Sequence, residues 1–188
     1  MAQPEGSQRV KIGILLARQV DDIGEWLADA DAFDAAGADA LWVHLGNAPE
    51  LDPLAVTAAL AAVTVRATLV AVLPAGEVSP ASARTHATIA RLSHGRLRIA
   101  HDLPSGSPAV PGPRAAGGSF PAGYELEAAG AWTSTSYPDG RAAWRTMLAE
   151  AAERGTRGLL VPADPRLIDI LRNPDDSGGR MDLYLAQG

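Results

Sequence analysis

The chain has no cysteine among its 188 residues, which excludes disulfide frameworks, thiolate nucleophiles and zinc–thiolate centres. No apolar run in the sequence reaches the roughly 18 to 20 residues that cross a bilayer. The first residues lack the basic and apolar segments of a signal peptide. Lys and Arg number 16 against 22 Asp and Glu and form no cluster, which argues against nucleic-acid binding. We therefore expect a cytoplasmic protein whose partners are neither membranes nor nucleic acids.

Strands and helices alternate regularly in the first hundred residues. Short apolar segments alternate with helical segments of about 10 to 15 residues, and the apolar segments read KIGILLA, ALWVHL, ATLVAVL and RLRIA. Parallel strands need such helical crossovers. The order predicts an α/β fold with mainly parallel strands, about seven strands and five helices in all, with ligands bound beyond the carboxyl ends of the strands.

Aspartates mark the predicted starts of three helices. Asp22, Asp52 and Asp164 can each accept hydrogen bonds from the first backbone N–H groups of the helix, and the last two precede proline at the first helical position. Four further acids of the first helix are predicted to form its solvated face. They are Glu25, Asp29, Asp31 and Asp34.

The second half of the chain departs from this pattern. Residues 103–123 are rich in proline and glycine and are predicted to form a loop within a single domain that spans residues 1–188. The segments Tyr124–Ala129 and Ala131–Tyr137 alternate in polarity and predict two strands, possible partners in an antiparallel pair. Met181–Ala186 is predicted to be the last strand.

Three segments resemble the luciferase-like monooxygenases, a family of (β/α)8 barrels that use FMN or F420. The segments are ADAFDAAGADALWVHL, DPLAVTAALAAVTVRATLVAVLP and SPASARTHATIARLSHGRLRIA, and the resemblance covers about residues 10–101. A complete barrel needs about 200 to 250 residues. The resemblance therefore implies a reduced or partly open (β/α)8 TIM-type barrel, with the late units that hold the flavin phosphate in the family largely missing.

The candidate site residues follow the predicted strands at their carboxyl ends. We expect His44 and His101 to share a pocket and to act as catalytic groups, as proton donors or as hydrogen-bond partners of a flavin or a substrate carbonyl. The alternative is that each histidine makes only a structural hydrogen bond. No metal site is assigned, because the ligands available lack metal-binding spacing. The expected cofactor-binding residues are Gly46, Asn47, Pro74 and Asp102.

The resemblance implies a flavin-dependent oxidoreductase of monooxygenase type that acts on a small-molecule substrate. The family's fourth strand ends in glycines, whereas here Ile99 is followed by Ala-His-Asp-Leu, and this difference predicts weakened binding of FMN or F420. A partner reductase could then supply reduced cofactor. Two alternatives are a non-catalytic binding or partner subunit and an enzyme that uses the same pocket without flavin. The uncovered strand edges of a shortened barrel predict a homodimer.

Three further side chains have predicted places. Trp42 is expected between the sheet and a helix, whereas Trp132 is expected either to cover a pocket or an interface or to lie in the core. Arg96 is expected to pair with an acid of the first helix or to cap a carbonyl. All three predictions concern structure more than catalysis.

Overall fold

The computed structural model describes residues 9–16, 20–46, 50–73, 80–104 and 131–174. These ranges contain six strands and five helices. The strands are β1 (Lys11–Leu15), β2 (Ala40–Val43), β3 (Thr68–Val72), β4 (Leu97–Ala100), β5 (Trp132–Ser134) and β6 (Gly158–Pro162). The helices are α1 (Ile23–Ala36), α2 (Pro53–Val63), α3 (Pro80–Leu92), α4 (Gly140–Glu153) and α5 (Pro165–Arg172).

The six strands form one sheet in the order β4-β3-β2-β1-β6-β5, and every pair of neighbours is parallel. The last described strand, β6, lies beside β1, as the last strand of a closed barrel lies beside the first. The sheet is thus a curled half-barrel, and the predicted α/β fold with a partly open barrel is confirmed.

The strand order also shows which strands form the edges of the described sheet. Each step from β1 to β4, and the step from β5 to β6, runs in the same direction across the sheet. Right-handed crossovers in one direction place the connecting helices on one face. Within the described residues, β4 and β5 are the two edge strands. The expectation that the units holding the flavin phosphate are missing stays a prediction.

The two faces of the sheet carry different cores. Alternation along β1 directs Ile12 and Ile14 toward the helices, where they join a large cluster that includes Trp26, Phe33 and Leu60. The opposite, concave face carries a smaller cluster without helical residues. Its buried members are Ala40, Trp42, Val70, Val72, Ala100, Trp132 and Leu160.

The second half of the chain only partly matches the expected strands. The predicted strand Ala131–Tyr137 contains β5, which is three residues long and runs parallel to β6. Its proposed antiparallel partner, Tyr124–Ala129, lies outside the described residues, as do Met181–Ala186 and most of the loop at 103–123. Among the described helices, none combines the length and apolar character needed to cross a bilayer.

The three predicted aspartate caps are confirmed. The Asp22 carboxylate accepts from the N–H groups of Gly24 at 2.7 Å and Glu25 at 3.0 Å. Asp52 accepts from the N–H of Leu54 at 2.7 Å, and Asp164 caps α5 in the same way. Each cap stabilises its helix by about 1 kcal/mol. Because these helices begin at the carboxyl edge of the sheet, the caps also fix the borders of the candidate site.

Candidate functional site

The carboxyl ends of the strands gather four of the predicted site residues at one edge of the sheet. His44 directly follows β2, with Gly46 two residues later, and His101 and Asp102 directly follow β4. The other two, Asn47 and Pro74, lie outside the described residues. The topology thus brings the described candidates to the edge where parallel sheets bind ligands.

The two histidines differ in burial, and a strand separates them. His44 is 8% exposed, whereas His101 is half-buried and Asp102 is exposed. Since β3 lies between β2 and β4, and neighbouring strands are about 4.8 Å apart, the two strand ends are roughly 10 Å apart. A small planar molecule could span this distance. A pocket shared by His44 and His101 stays a prediction.

Gly46 leaves the backbone open after β2. Its φ of +93° lies in the left-handed region, and a Cβ built there would meet no atom of the described residues within 4 Å. A residue with a side chain would be strained in this conformation, whereas glycine adopts it freely. Within the described residues, the main chain after β2 is therefore not covered by side chains at Gly46.

The end of β4 has no such opening. Ala100 stands where the resembling family has glycine, and it is 1% exposed within the concave cluster. Its methyl group packs with Val72 and other members of that cluster, so it offers no surface to a flavin ring. Of these two strand ends, the end of β4 therefore carries a buried methyl group, whereas the end of β2 is followed by a glycine in the left-handed conformation.

Two tryptophans fill the concave face beneath this edge. The ring centroids of Trp42 and Trp132 are 5.6 Å apart, with the planes at 73°, a T-shaped arrangement favoured for aromatic pairs. Trp42 therefore does not lie between sheet and helix as expected. Trp132, 4% exposed, belongs to the core, which decides between its two predicted places. In the described part of the chain, the concave face of the sheet is therefore filled by buried side chains.

Two strand glycines make room for Trp132. A Cβ on Gly158 would lie 2.5 Å from two carbons of the Trp132 ring, and one on Gly13 would lie 2.8 Å from the same ring. The Nε1 of Trp42 lies 3.0 Å from that Gly13 position. This buried N–H has no hydrogen-bond partner in the described part of the chain. Sequence reasoning missed this pairing because it depends on the order of β6, β1 and β2.

A positively charged side chain, Arg166, lies at the same edge, near β5 and β6. The Arg166 side chain stacks on Tyr137 at 4.3 Å from the ring centroid. It also donates to both carboxylate oxygens of Asp164, at 2.9 and 2.6 Å. These side-chain hydrogen bonds, with one from the Arg166 N–H, hold the pKa of Asp164 below its usual value, and the same pair raises the pKa of Arg166. The guanidinium of Arg166, a group that could bind an anionic ligand, is thus already paired with the Asp164 carboxylate.

At the opposite, amino-terminal edge, Asp34 is not solvated as predicted but 1% exposed. Its carboxylate accepts from three successive backbone N–H groups of the loop before β3: Val65 at 2.8 Å, Arg66 at 3.1 Å and Ala67 at 2.6 Å. The position could have been found from helical spacing, since Asp34 lies four residues after the buried Ala30. The carboxylate holds α1 against that loop.

Arg96 completes this amino-terminal network. Its guanidinium donates to the carbonyls of Ser93, Thr64 and Ala67 at 2.9, 2.8 and 2.8 Å, which confirms the predicted capping of carbonyls. Burial lowers the pKa of Arg96, and the nearby negative charge of Asp34 opposes that shift. Both groups serve the fold, as expected at the stability face of a barrel.

Within the described ranges, no group of three or more His, Asp or Glu side chains is arranged to hold a metal ion. A scan of protein-family models and a search of curated protein sequences found no match to this chain. The candidate chemistry of this edge therefore depends on the residues themselves.

Proposed function

We propose that the chain is a luciferase-like oxidoreductase-type protein that binds FMN or F420, together with a small-molecule substrate, at the carboxyl edge of its half-barrel. One observation carries the proposal: the circular order of parallel strands brings His44, Gly46, His101 and Asp102 to that edge. The three segments that resemble the luciferase-like family provide the cofactor class, since the strand order alone supports many chemistries.

The end of β2 is the proposed place for the cofactor ring. Gly46 allows close approach of the main chain there, and His44 lies two residues before it in the sequence. A bound flavin or F420 would supply hydride transfer. The chain's own contribution is proton chemistry, because a histidine imidazole can donate a proton to a carbonyl or take one. Asp102 can accept a hydrogen bond from the ligand or from His101.

Cofactor binding is proposed to be weak. Ala100 closes the β4 end, and Asp164 already holds Arg166. Losing two or three charge-assisted hydrogen bonds to the phosphate costs roughly 3 to 9 kcal/mol. A submicromolar dissociation constant would then become about 10 micromolar or weaker. The protein would purify colourless or with substoichiometric flavin, and reduced cofactor would come from solution or from a partner reductase.

A second candidate is a non-catalytic binding or partner subunit derived from the same family. The observation that favours it is the packed interior: Trp42 and Trp132 fill the concave face, and the sheet has six strands in the described part. A flavin-independent enzyme that uses the same edge is the third reading. If the protein binds neither cofactor but does bind a partner protein, the second candidate is favoured over the first.

The proposed homodimer would cover an uncovered strand edge, with Ala131–Tyr137 or the predicted last strand, Met181–Ala186, near the interface. Within the described residues, β5 is the shorter edge strand and ends the sheet on one side, and proteins cover or pair such edges. Light scattering should give twice the chain mass at about tens of micromolar. A monomer at that concentration would remove the dimer but not the cofactor proposal.

Calorimetric titration tests the function. FMN and F420 are added in turn to the wild-type protein, to His44→Ala/His101→Ala and to the surface control Asp31→Ala. We expect one-to-one binding of one cofactor, in the range of about 10 micromolar or weaker, in wild type and control, and at least about tenfold weaker binding in the double variant. Equal melting temperatures of the three proteins would show that folding is intact. Equal affinity in all three would exclude this edge, and no binding of either cofactor would favour the partner subunit.

A further inference from the structure

Charge is divided between two stretches of the first hundred residues. Residues 19–52 contain nine Asp and Glu and no Lys or Arg, whereas residues 53–101 contain five Arg, a single Glu and no Asp or Lys. The first stretch includes α1, and the second includes α2 and α3. The helical side of the sheet therefore carries negative charge on α1 and positive charge on α3.

An uncharged helix, α2, lies between the two charged ones. It packs against both α1 and α3, and its sequence, PLAVTAALAAV, contains no charged residue. Its exposed side chains include Ala55, Ala62 and Val63, and Val65, just beyond its end, is 78% exposed. An apolar helix face thus separates an acidic helix from a basic one.

The charges that flank α2 are exposed and spaced along helix faces. Glu25 and Asp29 are one turn apart on α1, and Arg84 and Arg91 are two turns apart on α3, so each pair lies on one side of its helix. Within the described residues, none of these four side chains forms an ion pair. Each helix therefore presents charges that a second molecule can pair.

We propose that α1, α2 and α3 form a self-complementary surface through which a second copy of the chain binds. In a two-fold symmetric pair, each contact occurs twice with the partners exchanged. A two-fold axis parallel to α2 places α2 against α2 of the other copy, and α1 against its α3. Each acidic helix then faces a basic one, on both sides of the contact between the two apolar helices.

The apolar and charged parts of this surface have different effects. The small side chains of α2 allow the two helix axes to approach to about 8 Å, and this approach removes Val63 and its neighbours from water. The charged side chains of α1 and α3 lie at the rim, where they determine orientation more than affinity. A two-fold axis perpendicular to α2 would instead place α1 against α1 and α3 against α3, which like charges oppose.

The proposed surface is separate from the candidate site and from the β5 edge. An axis parallel to α2 leaves the carboxyl edges of both copies uncovered, so the proposal does not depend on a cofactor. A homodimer that forms through Ala131–Tyr137 or Met181–Ala186 would use another part of the molecule. Charge reversal on the helices tells these two modes of association apart.

Sedimentation velocity at increasing protein concentration tests the proposal on two charge-reversed proteins. Arg84→Glu/Arg91→Glu makes the exposed face of α3 acidic like that of α1, whereas Glu25→Arg/Asp29→Arg makes the exposed face of α1 basic like that of α3. In a pair of identical variants, both helix contacts would then join like charges. We expect each reversed protein alone to associate at least about tenfold more weakly than wild type.

A matched control reverses two exposed arginines outside this surface. Arg145→Glu/Arg172→Glu, on α4 and α5, changes the net charge by the same amount as Arg84→Glu/Arg91→Glu and should associate like wild type. Equal melting temperatures of all variants would show that the reversed proteins are folded, as expected for substitutions at exposed positions.

An equimolar mixture of the two reversed proteins gives the most specific result. In a mixed pair, both helix contacts again join opposite charges, so the mixture should associate within about threefold of wild type, although neither variant does so alone. A wild-type chain that stays monomeric at about 100 micromolar, or a mixture that associates no more strongly than its components, would overturn the proposal. Reversed proteins that associate like the control would also overturn it, and would leave the strand-edge homodimer standing.

Discussion

The two edges of the sheet are built in different ways. At the amino-terminal edge, Asp34 and Arg96 bond the main chain of the loops that precede β3 and β4. At the carboxyl edge, His101 and Asp102 follow β4 at the surface, and Gly46 keeps the main chain open. The difference teaches that one edge is committed to stability by side chains that bond the main chain, while the other carries the polar residues of the proposed site, a division typical of barrels.

The largest loss of stability should follow from Asp34→Ala at the amino-terminal edge. Three backbone N–H groups lose their acceptor, and each unsatisfied donor costs about 1 to 3 kcal/mol. Because Val65 and Arg66 are exposed and water can replace part of the lost bonds, we expect a value in the lower part of the summed range, a fall of about 3 to 5 kcal/mol in the free energy of unfolding in urea. Asp31→Ala, an exposed position of the same helix, should change it by less than about 0.5 kcal/mol. Similar losses in the two variants would contradict the assignment.

Gly158→Ala should cause the next largest loss of stability. It tests the packing of the concave cluster beside that edge. The new methyl group would overlap the Trp132 ring, and overpacking a core costs about 1 to 3 kcal/mol. In a Trp132→Leu background the same change should cost less than about 1 kcal/mol, since the ring is gone. Denaturant unfolding of the four proteins measures this coupling, and equal costs in both backgrounds would refute the contact.

Asp164→Ala, at the carboxyl edge, should cost about 1 kcal/mol through loss of the α5 cap. The folded pKa of Asp164 is lowered, first by its side-chain hydrogen bond to Arg166. Its charge therefore stabilises the fold above the ordinary carboxyl pKa of about 4, and this stabilisation is lost as the pH falls through the folded value. Asp164→Asn keeps a capping side chain and should lose little at pH 7. The difference in unfolding free energy between wild type and Asp164→Asn should therefore shrink as the pH falls. A difference that grows on acidification would contradict this assignment.

Asp102→Ala should have the smallest effect on stability. The side chain is exposed at the carboxyl edge, and surface substitutions of this kind change the free energy of unfolding by less than about 0.5 kcal/mol. Thermal unfolding of Asp102→Ala beside Asp34→Ala compares the two edges directly. A loss at Asp102 that approaches the loss at Asp34 would remove the distinction between them.

The fold could be predicted from the sequence because its signals are local. Alternating apolar segments and aspartate caps determine strands, helices and the parallel sheet, and the caps at Asp22, Asp52 and Asp164 were identified from residue type alone. The burial of Asp34 follows from its helical spacing to Ala30, but its acceptor role could not be predicted, because it depends on a loop about thirty residues further along the chain. Trp42 was assigned to the wrong face because alternation separates two faces without saying which one the helices cover.

The candidate site could be predicted only as far as the strand ends. His44 and His101 lie at the expected edge because parallel strands end together, but their burial differs with the packing around each strand end. The edge strands of the described sheet could not be read from chain length, because they depend on the pairing of β6 with β1. Long-range pairing, not local pattern, decides both points.

Hydrogen–deuterium exchange with and without saturating FMN or F420 tests the division between the two edges most directly. Bound cofactor should slow amide exchange in the segments that follow β2 and β4, around His44, Gly46 and His101. Exchange at Val65 and Ala67, beside Asp34, should stay as it is in the unliganded protein. Protection at the amino-terminal edge, or no protection at either edge with both cofactors in large excess, would contradict the account.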